Sequence, residues 1–372
     1  MKRILVVTGT RADFGKLKPL MREIEEAGEF VLDVFVTGMH MLATYGLTCE
    51  EVEKAGFKNI YRFVNQNPTD SMEQILAKTV SGLSDYSRET KPDFILFHGD
   101  RVEALSSAIV GALSNILTGH IEGGELSGTI DESIRHATSK LSHVHFVANE
   151  EAERRLIQLG ETRKNIFVIG SPDIDIMNSS SLPTLIDVKD HYDIDYERYA
   201  IVLLHSVTTE VALLQDQVSV LIDGLIKSDK NYIVIYPNND LGSEIILQEY
   251  QKLEGVARFK LYPSLRFESF LTLLKNAEFI IGNSSAGVRE APHYGVPCVN
   301  LGSRQNGRAS SNLILNAPFT LKEIERSIEQ VANIERNIHS KFGDGDSATK
   351  FADIIMSKSL WETPIQKTFS DI

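Results

Sequence analysis

The chain has 372 residues, of which 42% are hydrophobic and 24% charged, and a formal net charge of -13 at pH 7. That length exceeds what one hydrophobic core supports, since single cores stop growing at roughly 250–300 residues, so two domains are expected. The acidic balance argues against a nucleic-acid surface, which needs excess Lys and Arg, the composition is not that of a disordered chain, and no apolar run approaches the roughly 18 residues of a membrane span.

Lys2 and Arg3 precede Ile4 to Val7, a run too short for a signal-peptide core, and the expected location is the cytoplasm. Short apolar runs of strand length then alternate with longer amphipathic segments, the pattern of βα units feeding a parallel sheet. Expected strands in the first half are Arg3 to Thr8, Val31 to Thr37, Phe94 to Phe97, Ile116 to Ile121, Val144 to Val147 and Ile166 to Ile169. From Ser171 to Tyr199 the rhythm lapses into Ser-Pro-Asp, three serines, Pro183 and a charged stretch, which reads as a linker. It restarts with strands at Tyr199 to Leu204, Tyr232 to Tyr236, Phe259 to Tyr262, Phe279 to Ile281 and Cys298 to Leu301. The expected division is a domain over 1–172, a linker over 173–198, a second domain over 199–346 and a helix within 347–372 that returns to the first. The fold class is therefore α/β, with two facing Rossmann-like domains and the ligand cleft between them. Cys49 and Cys298 lie far apart without metal-ligand spacing and read as core residues or inert thiols.

Several polar clusters end apolar strands, where open α/β sheets place their ligand residues. The stretch Thr8 to Lys16 follows the first strand and opens a helix. Its glycines allow close approach of an anion to free N–H groups, with Arg11 adding a charge-assisted contact; alternatively the glycines serve only the turn. It is not G-x-G-x-x-G, so the dinucleotide reading loses its usual support. His98-Gly99-Asp100-Arg101 ends another strand, the alternative being a surface ion pair or a helix cap. His120-Ile121-Glu122-Gly123-Gly124-Glu125 ends the next, followed by Asp131 to His136, where Asp131 and Arg135 could equally form a solvent-facing i,i+4 pair and His136 could be a core histidine. Asp100, Glu122 and Asp131 are three carboxylates expected on one sheet edge, where grouping pushes pKa values apart and supplies both an acid and a base. In the second half, His205-Ser206 ends a strand, as do Tyr236-Pro237-Asn238-Asn239-Asp240 and Gly282-Asn283-Ser284-Ser285. Ser284 and Ser285 offer hydroxyls and helix N-terminal amides to a diphosphate, or act as caps. Glu290 suits a ribose diol, and Arg304 and Arg308 follow.

Together these motifs resemble the UDP-N-acetylglucosamine 2-epimerase family, in its hydrolysing branch that feeds sialic acid synthesis. The resemblance rests on Gly-Thr-Arg-Ala-Asp-Phe-Gly at 9–15, His-Gly-Asp-Arg at 98–101, His-Ile-Glu-Gly-Gly-Glu at 120–125, Asp-Glu-Ser-Ile-Arg-His at 131–136 and Gly-Asn-Ser-Ser-Ala-Gly at 282–287. The non-hydrolysing branch has Gly-Thr-Arg-Pro-Glu at the first site and His-Arg-x-Glu-Asn at the strand of His205; here Ala12-Asp13 and Ser206-Val207 depart from both. The resemblance implies a GT-B-like fold and a hydrolase that converts UDP-N-acetylglucosamine and water to N-acetylmannosamine and UDP through 2-acetamidoglucal. It implies acid/base roles for Asp100, Glu122 and Asp131, and help with leaving-group departure from His205. It further implies that Arg11, Gly15, Lys16, Arg101, Asn238, Arg266, Ser284, Ser285, Glu290 and Arg304 hold UDP or the sugar. It calls for no cofactor and no metal, and implies a homodimer or homotetramer. The competing readings are the same reaction on another nucleotide sugar, such as a UDP-2,4-diacetamido sugar or a GDP-linked one on the legionaminic acid route, and a glycosyltransferase of similar fold. A non-enzymatic UDP-sugar sensor would leave the three carboxylates without a task.

Overall fold

Strand β1 (Lys2–Thr8) owes its central place to Ile4, Leu5, Val6 and Val7, whose consecutive side chains point to opposite faces and are all sealed from water. A computed structural model describes residues 1–67, 69–127, 129–305, 311–331, 333–338 and 342–371. These divide into two units: the described residues of Met1–Glu125, Asp131–Ser179 and Lys341–Ile372, and those of Leu126–Ile130 and Ser180–Ser340.

In the first unit β1 is followed by α1 (Arg11–Glu26), β2 (Phe30–Val36), α2 (Cys49–Lys54), β3 (Asn59–Arg62), α3 (Met72–Thr90), β4 (Phe94–His98), α4 (Val102–Leu113) and β5 (Leu117–Ile121). The chain continues through α5 (Ile130–Leu141), β6 (Val144–Val147), α6 (Glu150–Gln158), β7 (Ile166–Val168) and α7 (Pro172–Met177). The strands form one parallel sheet in the order β3-β2-β1-β4-β5-β6-β7. Ile4, Val6, Val34 and Leu96 face one core with Leu17, Leu20 and Phe351, while Leu5, Val7, Phe35, Ile95 and Phe97 face another with Leu83 and Ala108.

In the second unit α8 (Leu185–His191) precedes β8 (Ala200–Leu203), α9 (Val211–Lys227), β9 (Tyr232–Ile235), α10 (Ser243–Tyr250), β10 (Phe259–Tyr262) and α11 (Phe267–Asn276). Then come β11 (Ile280–Gly282), α12 (Glu290–His293), β12 (Cys298–Leu301), β13 (Ile314–Ala317) and α13 (Leu321–Val331). The strand order is β10-β9-β8-β11-β12-β13, again all parallel.

Each sheet runs outward in opposite directions from one central pair, β1 and β4 in the first unit and β8 and β11 in the second. At the carboxyl ends of such a pair the following loops part, leaving the crevice where open α/β sheets take their ligands.

Three features differ from the expected elements. β3 is mostly exposed and its Asn-Ile-Tyr-Arg carries no apolar run, and β13, with its Ile-Leu-Asn-Ala only partly buried, is a further strand beyond those expected. The stretch read as linker contains α7, with Pro172 in its first turn, and α8, capped by Thr184. Past residue 342, α14 (Ser347–Met356) and α15 (Lys358–Trp361) bring Phe351, Ile355 and Leu360 into the core of the first sheet. Asp175 of α7 accepts the Ser347 and Ala348 N–H groups that open α14, at 3.0 and 2.7 Å. Beyond it the tail lies on α5 and α6. The Lys367 ammonium sits among the carbonyls of Ser139, Lys140 and Ser142 at the end of α5 and pairs with Glu161. The Ser370 N–H bonds the Gly160 carbonyl at 3.0 Å.

His40 follows β2 and is wholly buried. Burial lowers its pKa to about 4, because its surroundings penalise the imidazolium. The unfolded chain binds this proton from about pH 6.5 downward, so stability falls as pH drops below that value and stops falling below the folded pKa. At pH 5 the loss from His40 alone is about 2 kcal/mol relative to pH 7. Urea unfolding at both pH values, in the wild type and in His40→Asn, checks this: the variant's drop should be smaller, and an equal drop refutes the assignment.

Candidate functional site

The turn after β1 binds its own anion. Thr10 and Asp13 form a capping box at the start of α1, and the Asp13 carboxylate accepts the N–H groups of Gly9 at 2.9 Å and Thr10 at 3.0 Å and the Thr8 hydroxyl at 2.6 Å. Since the Thr8 hydroxyl is donated to Asp13, its oxygen accepts from His40 Nε2 at 3.0 Å. The amides that the sequence offered to a phosphate at Gly9 and Thr10 are thus engaged by a side-chain carboxylate. Arg11 pairs with Glu51 of α2 at 2.6 Å, and Gly15 is buried in α1.

At the exits of β4 and β5 one arginine ties the Asp100 carboxylate to the backbone of Glu122. Arg135 of α5 is 2% exposed; its Nη2 donates to Asp100 and its Nη1 to the Glu122 carbonyl at 2.6 Å. Arg135 is therefore buried rather than solvent-facing, and reaches acceptors beyond its own helix. Asp131 lies one turn earlier, in the first turn of α5, and is half-buried. The exit from β5 demands unusual backbone. Glu122 has φ +61°, a left-handed conformation that costs a non-glycine residue roughly 1–3 kcal/mol. Gly124, at φ +76°, approaches Ala152 so closely that a Cβ would sit 2.4 Å from its carbonyl oxygen.

The Glu122 carboxylate is buried and held from several sides. Ser171 donates to Oε1; His98 Nε2 lies 2.9 Å and Lys16 Nζ 3.6 Å from Oε2. Lys16 lies closer to Asp173 of α7, at 3.0 Å. Beneath them His120 is fully buried and burial pushes its pKa well down, so it is neutral; Nε2 donates to the Gly99 carbonyl at 2.7 Å and Nδ1 accepts from Ser139 at 3.0 Å. Arg101 stands at the N-cap position of α4 without a side-chain capping bond, its Nε 3.4 Å from Glu103.

In the second unit the loop after β11 organises His205, which follows β8. The Asn283 side chain bonds both backbone groups of His205, accepting its N–H at 2.7 Å and donating to its carbonyl at 2.8 Å. The Asn238 N–H donates to His205 Nδ1 at 3.0 Å, so the neutral imidazole carries its proton on Nε2. Arg304 and Gln305 donate to the Asn283 carbonyl at 3.3 and 2.8 Å. Gly282 makes this exit possible, since a Cβ there would stand 2.1 Å from the Leu203 carbonyl oxygen. Ser284 caps the short turn Ser285–Gly287, accepting the Ala286 N–H at 3.3 Å. Glu290 is buried at the start of α12, and Arg266 is exposed at the start of α11. Arg308 lies outside the described residues.

The structure thus unites Lys16, Asp100 and Glu122 in the first unit and His205, Asn238 and Arg304 in the second. It adds His98, Arg135, Ser171 and Asp173 to the first set and Asn283 and Gln305 to the second. Ser171 and Asp173 carried a legible signal, a polar cluster ending a strand, but fell where the sequence reads as linker. Among the described residues no group of three or more His, Cys, Asp or Glu side chains is arranged to hold a metal ion, and no helix is long and apolar enough to cross a membrane.

The sequence profile of the UDP-N-acetylglucosamine 2-epimerase family matches residues 22–356. The chain is 49% identical over 376 aligned positions, covering all of both proteins, to the UDP-N-acetylglucosamine 2-epimerase of Neisseria meningitidis serogroup B. It is 31% identical, over 99% of both chains, to the UDP-N,N'-diacetylbacillosamine 2-epimerase (hydrolyzing) of Legionella pneumophila. Among solved structures, a UDP-GlcNAc 2-epimerase from Neisseria meningitidis bound to UDP-GlcNAc matches with a TM-score of 0.80 over 95% of this chain and 99% of that one; at 19% identity this likeness establishes the fold alone.

Removing Arg135 tests how far the first-unit arrangement depends on it. Arg135→Met takes the shared donor from the Glu122 carbonyl and from Asp100, whose side chain is 23% exposed, so the cost is about 2 kcal/mol, below that of a fully buried pair. Urea denaturation should show this loss, with Arg135→Lys between the two because one ammonium cannot reproduce both arms. A variant within about 1 kcal/mol of wild type would contradict it.

Proposed function

Since the chain belongs to the UDP-N-acetylglucosamine 2-epimerase family, we propose that it is the hydrolysing enzyme, converting UDP-N-acetylglucosamine and water to N-acetylmannosamine and UDP. The observation that carries the reading is the yoking of Asp100 and Glu122 by Arg135 at the carboxyl edge of the first sheet, beside the β1–β4 switch point. Proton transfer at a sugar carbon needs a base and an acid, each positioned within reach of the carbon or a relaying water.

In the proposed reaction a carboxylate takes the proton from C2, the bond from C1 to the diphosphate oxygen breaks, and a C1–C2 double bond forms, giving 2-acetamidoglucal and UDP. Water oxygen then adds to C1 while C2 receives a proton on the opposite face. We assign the proton steps to Asp100, Glu122 and Asp131, with His98 and Ser171 orienting Glu122. In the second unit His205, bearing its proton on Nε2, is suited to neutralise the departing diphosphate. We assign contacts with UDP or the sugar to Arg11, Arg101, Asn238, Arg266, Ser284, Ser285, Glu290 and Arg304. The chemistry as written needs neither nicotinamide nor metal. A nucleotide-sugar substrate places the enzyme in the cytoplasm, as the first step toward sialic acid.

Proton NMR of the enzyme with UDP-N-acetylglucosamine in deuterated water should show free UDP and N-acetylmannosamine deuterated at C2. Asp100→Asn and Glu122→Gln should each lower kcat by roughly 10²–10⁴-fold. A sugar epimerised but still attached to UDP would refute hydrolysis. Turnover of only a UDP-diacetamido sugar would move the substrate to that of the Legionella relative.

A further inference from the structure

Lys16 was expected beside the ligand, yet its ammonium lies between two carboxylates. Nζ is 3.0 Å from Asp173 Oδ2 and 3.6 Å from Glu122 Oε2, with side-chain exposures of 11%, 1% and 3% for Lys16, Asp173 and Glu122. A single cation this far from water cannot favour the ionised form of both carboxylates fully, and the nearer one takes the larger share. The division is built into the helix framework. Lys16 stands in the second turn of α1 and Asp173 in the first turn of α7, and these helices pack together.

We propose that Asp173 is a positioning residue of the proton-transfer centre: it holds the Lys16 ammonium off Glu122 and thereby sets the pH at which Glu122 exchanges its proton. This rests on the reading that Glu122 transfers a proton. Other groups facing Glu122 act from separate elements. His98 reaches its Oε2 from the end of β4, Ser171 donates to Oε1 from the loop before α7, and Arg135 of α5 contacts its carbonyl and Asp100. Asp175, the other α7 carboxylate nearby in sequence, is engaged by the first amides of α14. Without the Asp173 charge, Lys16 loses the nearer of its two carboxylates and shifts its share toward Glu122, and a neighbouring anion is removed as well. Both changes favour ionised Glu122, so its titration moves to lower pH.

The direct test is carbon-13 NMR of the full-length protein labelled at the glutamate carboxyl, with the Glu122 signal assigned by its loss in Glu122→Gln. In Asp173→Asn the Glu122 midpoint should fall by about one pH unit, the low end of the effect of an opposite charge at this range. Asp173→Glu should restore it. In parallel, the kcat profile for UDP release from UDP-N-acetylglucosamine should show the limb governed by Glu122 displaced downward by the same amount, whichever role Glu122 plays, with KM within about twofold of wild type. An unmoved Glu122 midpoint overturns the proposal, as does a loss of kcat by the same factor at every pH with both limbs in place, the signature of an ion pair that only joins α1 to α7. If the midpoint moves but the wild type releases no UDP, the tuning stands and the assignment of substrate falls.

Discussion

A guanidinium shut away from water keeps its charge, so every part of the chain that meets Arg135 must stay where its donors point. They include the side chain leaving β4 and the backbone leaving β5. One residue of α5 thereby fixes the separation of Asp100 and Glu122 and favours the left-handed backbone of Glu122. The strain is local, while the burial that sustains it spans α5, the sheet and the loop before α7. Proton transfer of the proposed kind depends on such over-determination, because a carboxylate that drifts by an ångström no longer reaches its carbon.

The arrangement is braced from behind. His120, neutral and enclosed, connects Ser139 of α5 to the carbonyl of Gly99, the residue before Asp100. At the far end of the same helix Lys367 gathers the carbonyls of Ser139, Lys140 and Ser142, adding to the bonds that Ser142 itself makes to the Thr138 carbonyl. Asp13 does the corresponding work at the opening of α1, and in doing so engages the Gly9 and Thr10 amides that the sequence offered to a phosphate. Two turns that look alike in sequence, after β1 and after β11, thus carry different electrostatics: a carboxylate fills the first, while a serine hydroxyl and nearby Arg304 mark the second.

Much of this was legible in the sequence because both faces of parallel strands are covered. Runs such as Ile4 to Val7 and Phe94 to Phe97 announce themselves without polar interruption, and the polar residues that end them announce the sheet edge. What stayed hidden has physical reasons. Strand β3 is an exposed edge whose Asn59 and Arg62 give no apolar signal. Asp173 sits in a helix opened by proline and surrounded by the serine and proline that elsewhere mark a linker. The acceptors of Arg135 at Asp100 and the Glu122 carbonyl give no signal in the sequence, because helical spacing reports neighbours on one helix while these come from two strands adjacent only in the sheet.

The first sheet takes part of its core from Phe351, Ile355 and Leu360, more than 170 residues beyond the end of α7. On the ribosome the order of completion is therefore inverted. The segment from Ser180 onward carries its own six strands and core and can condense as soon as α13 emerges, whereas the earlier-synthesised unit must wait with one flank of its sheet uncovered. During that interval Phe146 lacks Phe351, the edge-on ring partner that α14 later supplies, and one flank of the first core stays open to water.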